Sequence, residues 1–381
     1  MLSSAPPTQV AHRPWRGVYF NPQFEKDPNF AWLLYYPGYR DRVRKALREL
    51  KVRGDINLVD IFVLIPNTLK TPAQGNRSGE AIEEWANLDF LKNVSQFVDD
   101  CHDASIDVEL DLVDNRWIPQ SIDSDQHIGK PGNPWWPTAA EEPENYKAAA
   151  EWYAAVIGYV EAHAQHANSV ACWSMMGNYH WGAAEPVLWE NADHPEILRA
   201  TERFVKAVWP SFCRAGRRPK ASPILLPIFA DSGYWKSRGP SERLSGFLNL
   251  HKWLALDLKM EPDYWVMSTY PGCNPAKDGV YYLDQIIKIL GPGSAARLIS
   301  TDLKSVGHNS EREHTILSLP DVDEAAMLRW QLGACNRHGF AGWWIWAYQD
   351  TPESKSGIRK LSGDWKPEVV KIIRDNASSR R

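Results

Sequence analysis

The stretch Val170-Ala-Cys-Trp-Ser-Met-Met-Gly-Asn-Tyr179 decides the fold assignment. It is an apolar, β-rich run that ends in polar residues, and a long helical pattern follows it. Leu298-Ile-Ser-Thr-Asp-Leu-Lys304 repeats this arrangement later in the chain. Strands that present polar side chains at their carboxyl ends and then lead into helices are typical of (β/α)8 barrels. The two stretches therefore predict a barrel with functional groups at its mouth.

The rest of the chain alternates strand and helix patterns in the same way. Eight strands are predicted, at Gly17–Asn21, Asn57–Ile65, Ile106–Asn115, Val170–Met176, Ser222–Asp231, Asp263–Tyr270, Arg297–Asp302 and Phe340–Trp346. Helices are predicted at Arg40–Val52, Asn87–Ala104, Tyr146–Gln165, His194–Ala215, Ser241–Met260, Asp278–Leu290, Asp323–His338 and Lys366–Asn376.

This order of elements predicts an α/β fold, a (β/α)8 TIM barrel that forms a single domain with long βα loops. The expected barrel covers residues 16–376, and flexible tails are expected at 1–15 and 377–381. An open doubly wound sheet is the alternative, but no Gly-x-Gly-x-x-Gly follows the first strand.

The charge and the tryptophan content favour a small or neutral ligand. The formal net charge of −4 without a basic stripe makes nucleic acid a poor partner. Nineteen tryptophans are present, and indole faces stack on the apolar faces of sugar rings, although most tryptophans only pack. Five of them fall in predicted loops and are candidates for a ligand platform: Trp117, Trp135, Trp136, Trp181 and Trp235.

The sequence gives only limited information about the cellular compartment of the protein. The five cysteines are scattered without a Cys-x-x-Cys pair, so neither a disulfide framework nor a zinc knuckle is expected. The N-terminal residues lack the pattern of a signal peptide, and no run reaches transmembrane length. We expect a soluble protein, either cytoplasmic or secreted with its signal removed, and no membrane partner.

Polar residues at the predicted strand ends are the candidates for chemistry, because a barrel builds its site there. The third strand alternates Val108, Leu110 and Leu112 with acids, so the acids are expected to point into the barrel. Among these acids, Glu109 is expected to pair with an arginine in the barrel floor. The strand-end candidates are Asn21, Asp111, Asp114, Asn178, His180, Asp231, Tyr270, Asp302, Trp346 and Asp350.

Three strands resemble those of the clan A glycoside hydrolases, the superfamily that includes the cellulase-like family 5. Trp173-Ser-Met-Met-Gly-Asn-Tyr179 is similar to the fourth strand of that group, Trp-Glu-x-x-Asn-Glu-Pro, whose last Glu is the acid/base. Ile299-Ser-Thr-Asp-Leu303 is similar to the seventh strand, Ile-Thr-Glu-Phe-Gly, whose Glu is the nucleophile. Gly339-Phe-Ala-Gly-Trp-Trp-Ile-Trp346 resembles the eighth strand, whose last Trp forms the floor of a sugar subsite.

The chain departs from the family pattern at both catalytic positions. Gly177 and Asn178 occupy the places of the Asn-Glu pair, and an amide cannot donate and recover a proton as a carboxyl group does. Asp302 occupies the place of the nucleophile and is shorter by one methylene. The resemblance therefore implies an inverting enzyme, an acid recruited from elsewhere, or a barrel that has lost hydrolysis.

Three sources of a replacement acid are considered. Glu185 lies beyond Asn178 on the same loop, although it could simply be a solvated or helix-start acid. Asp231 ends the fifth strand, although it could instead cap a turn. Asp111 and Asp114 weakly resemble the acidic strand end of the chitinase-type barrels, although the full motif of those barrels is absent.

No metal or cofactor site is predicted. His163 and His166 are three residues apart in a predicted helix, a spacing that can chelate, but a solvated surface role is favoured. The first strand lacks the His-x-His of metal-dependent amidohydrolase barrels. Leu290-Gly-Pro-Gly-Ser294 precedes a strand, so it is interpreted as a helix stop and not as a phosphate-binding loop.

The sequence therefore predicts a glycoside hydrolase-like barrel that acts on an oligo- or polysaccharide. Alternatives are a carbohydrate-binding pseudoenzyme and a barrel recruited to non-hydrolytic chemistry. The sugar, the linkage and the oligomeric state are not indicated by the sequence. Expected catalytic residues are Asp302, Glu185 and Asp231, and expected substrate-binding residues are Asn178, His180, Tyr270, Trp346, Asp111, Asp114, Trp117, Trp181 and Trp235.

Overall fold

A computed structural model describes most of the predicted strands, five of the eight predicted helices and part of a sixth. The described residues are 14–22, 37–71, 78–113, 143–175, 206–224, 262–268, 287, 293–303, 324–350 and 357–378. At a few of these positions, Asp302 among them, only the backbone is described.

Eight parallel strands close into a barrel in the order β1 to β8, and each strand pairs with its neighbours in the sequence. The first and last strands also pair with each other, which leaves no sheet edge. The strands are β1 Trp15–Tyr19, β2 Leu58–Leu64, β3 Asp107–Val113, β4 Val170–Met175, β5 Lys220–Ile224, β6 Tyr264–Ser268, β7 Leu298–Leu303 and β8 Gly342–Ile345.

Helices pack on the outside of this barrel. Asn87 caps one of them, because its side-chain oxygen accepts a hydrogen bond of 3.2 Å from the backbone nitrogen of Phe90. The helices in the described part of the chain are α1 Arg40–Gly54, α2 Ile82–Trp85, α3 Leu88–Asp103, α4 Pro143–His163, α5 206–214, α6 Glu324–His338 and α7 Pro367–Ser378.

The outward-facing apolar side chains of the strands form a layer between the barrel and the helices. Val108, Leu110 and Leu112 of β3 are fully buried in one large cluster with residues of the helices, including Leu47 and Phe97. The side chains between them on β3 therefore face the barrel interior, because successive residues of a strand point to opposite faces. The alternation in the sequence predicted this arrangement, and the structure confirms it.

Most predicted element boundaries agree with the structure within two or three residues. One example is β5, which begins at Lys220, two residues before the predicted start. Its predicted end and the helices predicted at Ser241–Met260 and over most of Asp278–Leu290 lie outside the described residues. The predicted tails and domain limits stay predictions. Within the described part of the chain, no helix is long and apolar enough to cross a membrane.

Two glycines allow the first and last strands to pair closely. Gly342 lies in register with Trp15, and a Cβ atom at Gly342 would lie 2.7 Å from the Cβ atom of Trp15. Gly17 lies in register with Trp344, and a Cβ atom there would be 2.7 Å from the Cβ atom of Trp344. Each large indole in the interior therefore needs a glycine beside it on the neighbouring strand.

Gly342→Val should lower the free energy of unfolding by about 1–3 kcal/mol, because the added side chain overpacks the interior against Trp15. Gly158→Ala in α4 is the matched control, since an added Cβ there meets nothing within 4 Å. The control should gain about 1 kcal/mol from helix propensity. Urea unfolding measures both, and equal stability of Gly342→Val and wild type would contradict the close approach.

Candidate functional site

Among the inward side chains, three stacked layers in the middle of the barrel can be followed, and each is built from alternate strands as the strand tilt requires. Following the register around the barrel gives these layers. The layer nearest the mouth contains Tyr19, Asp111 and Thr301, the next contains Asp60, Ser174, Val266 and Trp344, and the third contains Gly17, Glu109, Ala221 and Ile299.

The mouth layer places Asp111 on β3 opposite Thr301 on β7, because these strands are four apart in a closed ring of eight. The register of β7 against β8 shifts between Ser300 and Leu303, so the backbone is irregular at Asp302. Bulges of this kind are over-represented at barrel rims and beside active sites. The expected catalytic Asp302 thus lies at the mouth end of β7, and its side chain is outside the described residues.

Three aromatic rings pack together at the same end of the barrel. Trp346 follows β8 and stacks on Tyr19, with ring centroids 4.3 Å apart and planes within 7°. Phe62 packs against both rings, and its ring centroid lies 4.4 Å from that of Tyr19 and 6.2 Å from that of Trp346. Tyr19 and Phe62 are buried, whereas Trp346 is only partly buried. The partly buried indole is therefore held rigidly beside the mouth.

The barrel interior contains three carboxyl groups at successive depths. Asp111, Asp60 and Glu109 are all buried, with exposed fractions of 4%, 0% and 1%. Burial raises the pKa of Glu109 to about 8, and the nearby indole of Trp344 opposes this shift only in part. Burial, followed by the charges of Asp60 and Asp111, also raises the pKa of Tyr19. At neutral pH burial therefore favours the protonated forms of Glu109 and Tyr19.

Several buried polar atoms in this interior have no hydrogen-bond partner among the described residues. They are the Ser174 hydroxyl oxygen, the Trp344 indole nitrogen and one carboxyl oxygen of Glu109. The indole of Trp344 lies near Glu109 but outside hydrogen-bond geometry. Buried polar groups are normally satisfied, so three unsatisfied atoms in one interior indicate a place that accepts a polar group.

Among the described residues, no arginine forms the expected ion pair with Glu109, so this pairing stays a prediction. Arg16 of β1 forms an ion pair with Asp55, with 2.9 Å between a guanidinium nitrogen and a carboxylate oxygen. It also donates to the Asp55 carbonyl. Arg16 is an outward-facing residue of β1, so strand alternation keeps it away from the acids inside.

Two of the strand-end candidates have structural roles. Asn21 donates from its amide to the Gln349 carbonyl at 3.2 Å and accepts from the Gln349 backbone nitrogen at 3.1 Å. Asp350 accepts from the Gly357 backbone nitrogen at 2.8 Å and from the Lys366 ammonium at 2.9 Å. Both side chains anchor the segment that follows β8, so their polar atoms are used for the fold.

The remaining predicted site residues lie outside the described residues, so their roles stay predictions. They are Asp114, Asn178, His180, Glu185, Asp231, Tyr270, Trp117, Trp135, Trp136, Trp181 and Trp235. The strands that precede several of them are described, and these strands end at Val113, Met175, Ile224 and Ser268.

The two histidines considered as a chelating pair do not share a helix. Helix α4 ends at His163, and His166 follows in a turn. His163 stacks on Tyr159 at 3.9 Å, whereas His166 stacks on His102 at 3.8 Å. The helical spacing assumed from the sequence is therefore wrong. Within the described residues, no group of three or more His, Cys, Asp or Glu side chains could hold a metal ion.

Sequence reasoning missed part of the interior. Asp60 was included in an apolar run, although a single acid in a buried strand is a signal for an inward polar position. Tyr19 precedes the predicted strand end at Asn21, so the rule that site residues follow strand ends does not include it. Ser174 was noted only as part of a motif, and its place beside Asp111 depends on the pairing of β3 with β4.

Glu109 should make stability depend on pH. Its pKa is about 8 in the folded protein against an ordinary 4.5, so between these values only the folded state keeps the proton. The contribution of this proton to the free energy of unfolding is fully present below pH 4.5 and is lost as the pH rises through 8. Unfolding free energies of wild type should therefore fall over this range by on the order of a few kcal/mol.

Glu109→Gln should lose this pH dependence, because the neutral amide cannot titrate. Urea unfolding at pH 5.5 and pH 8.5 measures the effect. Glu84→Gln, at an exposed position in α2, is the control and should keep the wild-type slope. An unchanged slope in Glu109→Gln would show that the proton belongs to another group.

No family model and no curated protein matches the sequence. Solved structures match the fold. A variant of GH5_18 from Bifidobacterium longum subsp. longum, in complex with Manβ1-4GlcNAc, has a TM-score of 0.62 at 14% identity, over 96% of this chain and 78% of its own. The exo-β-1,4-mannosidase Op5Man5 from Opitutaceae bacterium strain TAV5 has 0.57 at 14%, over 96% and 59%.

The β-glycosidase from the hyperthermophile Thermosphaera aggregans has a TM-score of 0.59 at 12% identity, over 96% of both chains. Identities this low establish likeness of fold and leave the chemistry to the site. The chain therefore folds as a (β/α)8 barrel, as its order of strands and helices predicted, and it is similar in fold to these solved glycosidases.

Proposed function

We propose that this chain is a glycoside hydrolase-like protein that acts on an oligo- or polysaccharide at the C-terminal face of its barrel. The observation that carries the proposal is the group of side chains at the mouth end of the barrel. It combines a rigid, partly buried indole at Trp346 with an inward carboxyl group at Asp111. Sugar recognition needs both, because a ring has apolar faces that stack and hydroxyls that bond to carboxylates.

The aromatic group supports a sugar subsite beside the reaction centre. One side of Trp346 is supported by Tyr19 and Phe62, so the ring cannot turn away when a ligand binds. A platform that is ordered in advance costs less entropy on binding than a mobile side chain. The neighbouring folds include an exo-β-1,4-mannosidase and a complex with Manβ1-4GlcNAc. β-Mannosides and β-glucosides are therefore the first substrates to test.

Asp302 is the central carboxylate in this proposal. Its backbone lies at the mouth end of β7, within the register shift against β8. A carboxylate there can stabilise the positive charge that develops at the anomeric carbon, or can activate a water molecule. Glu185 and Asp231 remain further candidates for proton transfer, and Asn178, His180 and Tyr270 remain candidates for binding sugar hydroxyls.

Asp302→Asn should lower kcat/KM by about 100- to 10,000-fold, because the amide neither carries charge nor accepts the proton. Hydrolysis of 2,4-dinitrophenyl β-mannoside and β-glucoside measures the loss. The melting temperature should stay near that of wild type. Asp375→Asn, at an exposed position in α7, is the control and should keep full activity. Unimpaired hydrolysis by Asp302→Asn would remove this residue from the mechanism.

A second candidate function is a carbohydrate-binding protein that has lost hydrolysis. The observation that favours it lies at β4, where Ser174 and Asn178 occupy the positions of the two glutamates in the similar motif. In this case wild type should bind oligosaccharide in calorimetry without cleaving the activated glycosides. Asn178→Glu should then gain measurable hydrolysis of the 2,4-dinitrophenyl glycosides. Hydrolysis by wild type itself would exclude this candidate.

A further inference from the structure

We propose that a cavity on the outside of the barrel, between α1 and the segment that follows β8, binds a small organic molecule that carries a phosphate or carboxylate group. Helix α1 supplies one wall of this cavity, and Tyr348, Gln349 and residues between 359 and 363 supply the other. Among the described residues, none of the side chains in the interior layers lines it. The inference is therefore independent of the proposed function.

The size of the cavity suits a small organic molecule. Its volume of about 310 Å³ lies at the lower end of the range of about 300–1,000 Å³ that is typical of ligand pockets. A bare inorganic ion would leave most of this space empty. Leu361, with an exposed fraction of 50%, lines the cavity and offers apolar surface to the body of a ligand. Volume and lining therefore favour a ligand of about the size of a monosaccharide.

The charged side chains that line the cavity are mainly cationic. Among the described residues they are Arg42, Lys45 and Arg359, against the single acid Glu49. Glu49 is already paired with Arg359, with 3.4 Å between a carboxylate oxygen and a guanidinium nitrogen. A concave site with an excess of positive charge raises the local concentration of anions. The ligand of this cavity should therefore carry negative charge.

Arg359 is a fixed cation in the wall of the cavity. Its Nε donates to the Gly363 carbonyl at 2.7 Å, and a terminal guanidinium nitrogen donates to the Tyr348 hydroxyl. The guanidinium carbon also lies 5.3 Å from the ring centroid of Tyr348 and 5.1 Å from that of Trp365. These contacts hold the positive charge in one place, so little order has to be gained when an anion binds.

Lys45 is the group that would bind the anion directly. It is exposed, and it has no hydrogen bond or ion pair within the described part of the chain. Arg42 lies three residues earlier on α1, so the two cationic side chains are neighbours on one face of the helix. An ammonium group has three donors and no acceptor, and a phosphate or carboxylate in the cavity would accept from it. The anion would also reduce the repulsion between these two cations.

Calorimetric titration of the full chain tests the proposal, with three probes at a constant ionic strength of about 0.15 M. Glucose 6-phosphate and glucuronate carry the two kinds of oxyanion, and glucose is the neutral probe of similar size. At least one of the acidic probes should bind saturably at a single site, and the tighter of the two identifies the preferred group. Excess glucose should not displace the acidic probe, because the cavity recognises the charge.

Lys45→Gln should weaken binding of the acidic probe by about 5- to 20-fold, because the amide carries no charge. Glutamine forms helices nearly as well as lysine and the position is exposed, so the variant should keep the wild-type melting temperature. Arg48→Gln is the matched control, since Arg48 is exposed on the same helix and does not line the cavity. It removes the same charge and should change the affinity by less than about 2-fold.

Four results would overturn the proposal. The first is that wild type binds neither acidic probe saturably, and the second is that glucose displaces the bound probe. The third is wild-type affinity in Lys45→Gln, which would mean that the anion binds elsewhere. The fourth is an equal loss of affinity in Lys45→Gln and Arg48→Gln, which would indicate a general attraction between the net charge and the anion. None of these results bears on the proposed function, whose test is the hydrolysis of uncharged glycosides.

Discussion

Closure of the barrel between β1 and β8 is the constraint on which the rest of the structure depends. The two strands, far apart in the chain, pair because each interior tryptophan meets a glycine, Trp15 with Gly342 and Trp344 with Gly17. Asn21 then joins the end of β1 to the backbone of Gln349 through two hydrogen bonds. Closure satisfies every strand edge and isolates the interior from water, and this isolation gives the inward acids their unusual chemistry.

The two faces of each strand carry different tasks. The outward residues form the large apolar cluster with the helices and supply most of the stability, as burial of apolar surface does in any domain. The inward residues include Asp60, Glu109 and Asp111, and burial raises the pKa of Glu109 to about 8 because it disfavours the charged carboxylate. Buried polar groups that lower the stability of a protein are common at functional sites. Apolar packing alone therefore does not explain the polar side chains in the interior of this barrel.

Local patterns predicted the fold well and the site in part. Alternation in β3 predicted that its acids point inward, and the position of Trp346 at the end of β8 predicted an aromatic group at the mouth. The roles of Asn21 and Asp350 could not be foreseen, since their partners lie at Gln349 and Lys366 and depend on the folded loop after β8. Arg16 is not the arginine partner expected for Glu109, because it lies on the outward face of its strand and pairs with Asp55.

The sequence by itself determined the order of eight strands and the helices between them, the inward face of β3 and the likeness of three strands to those of clan A. These properties repeat over two to four residues or over one strand–helix unit, so local composition encodes them. Only the tertiary structure decided which inward residues share a height. Register and strand tilt are set by pairing between distant segments, and they place Asp111 opposite β7 and Ser174 beside Asp111. No local pattern contains that information, because it arises when the ring closes.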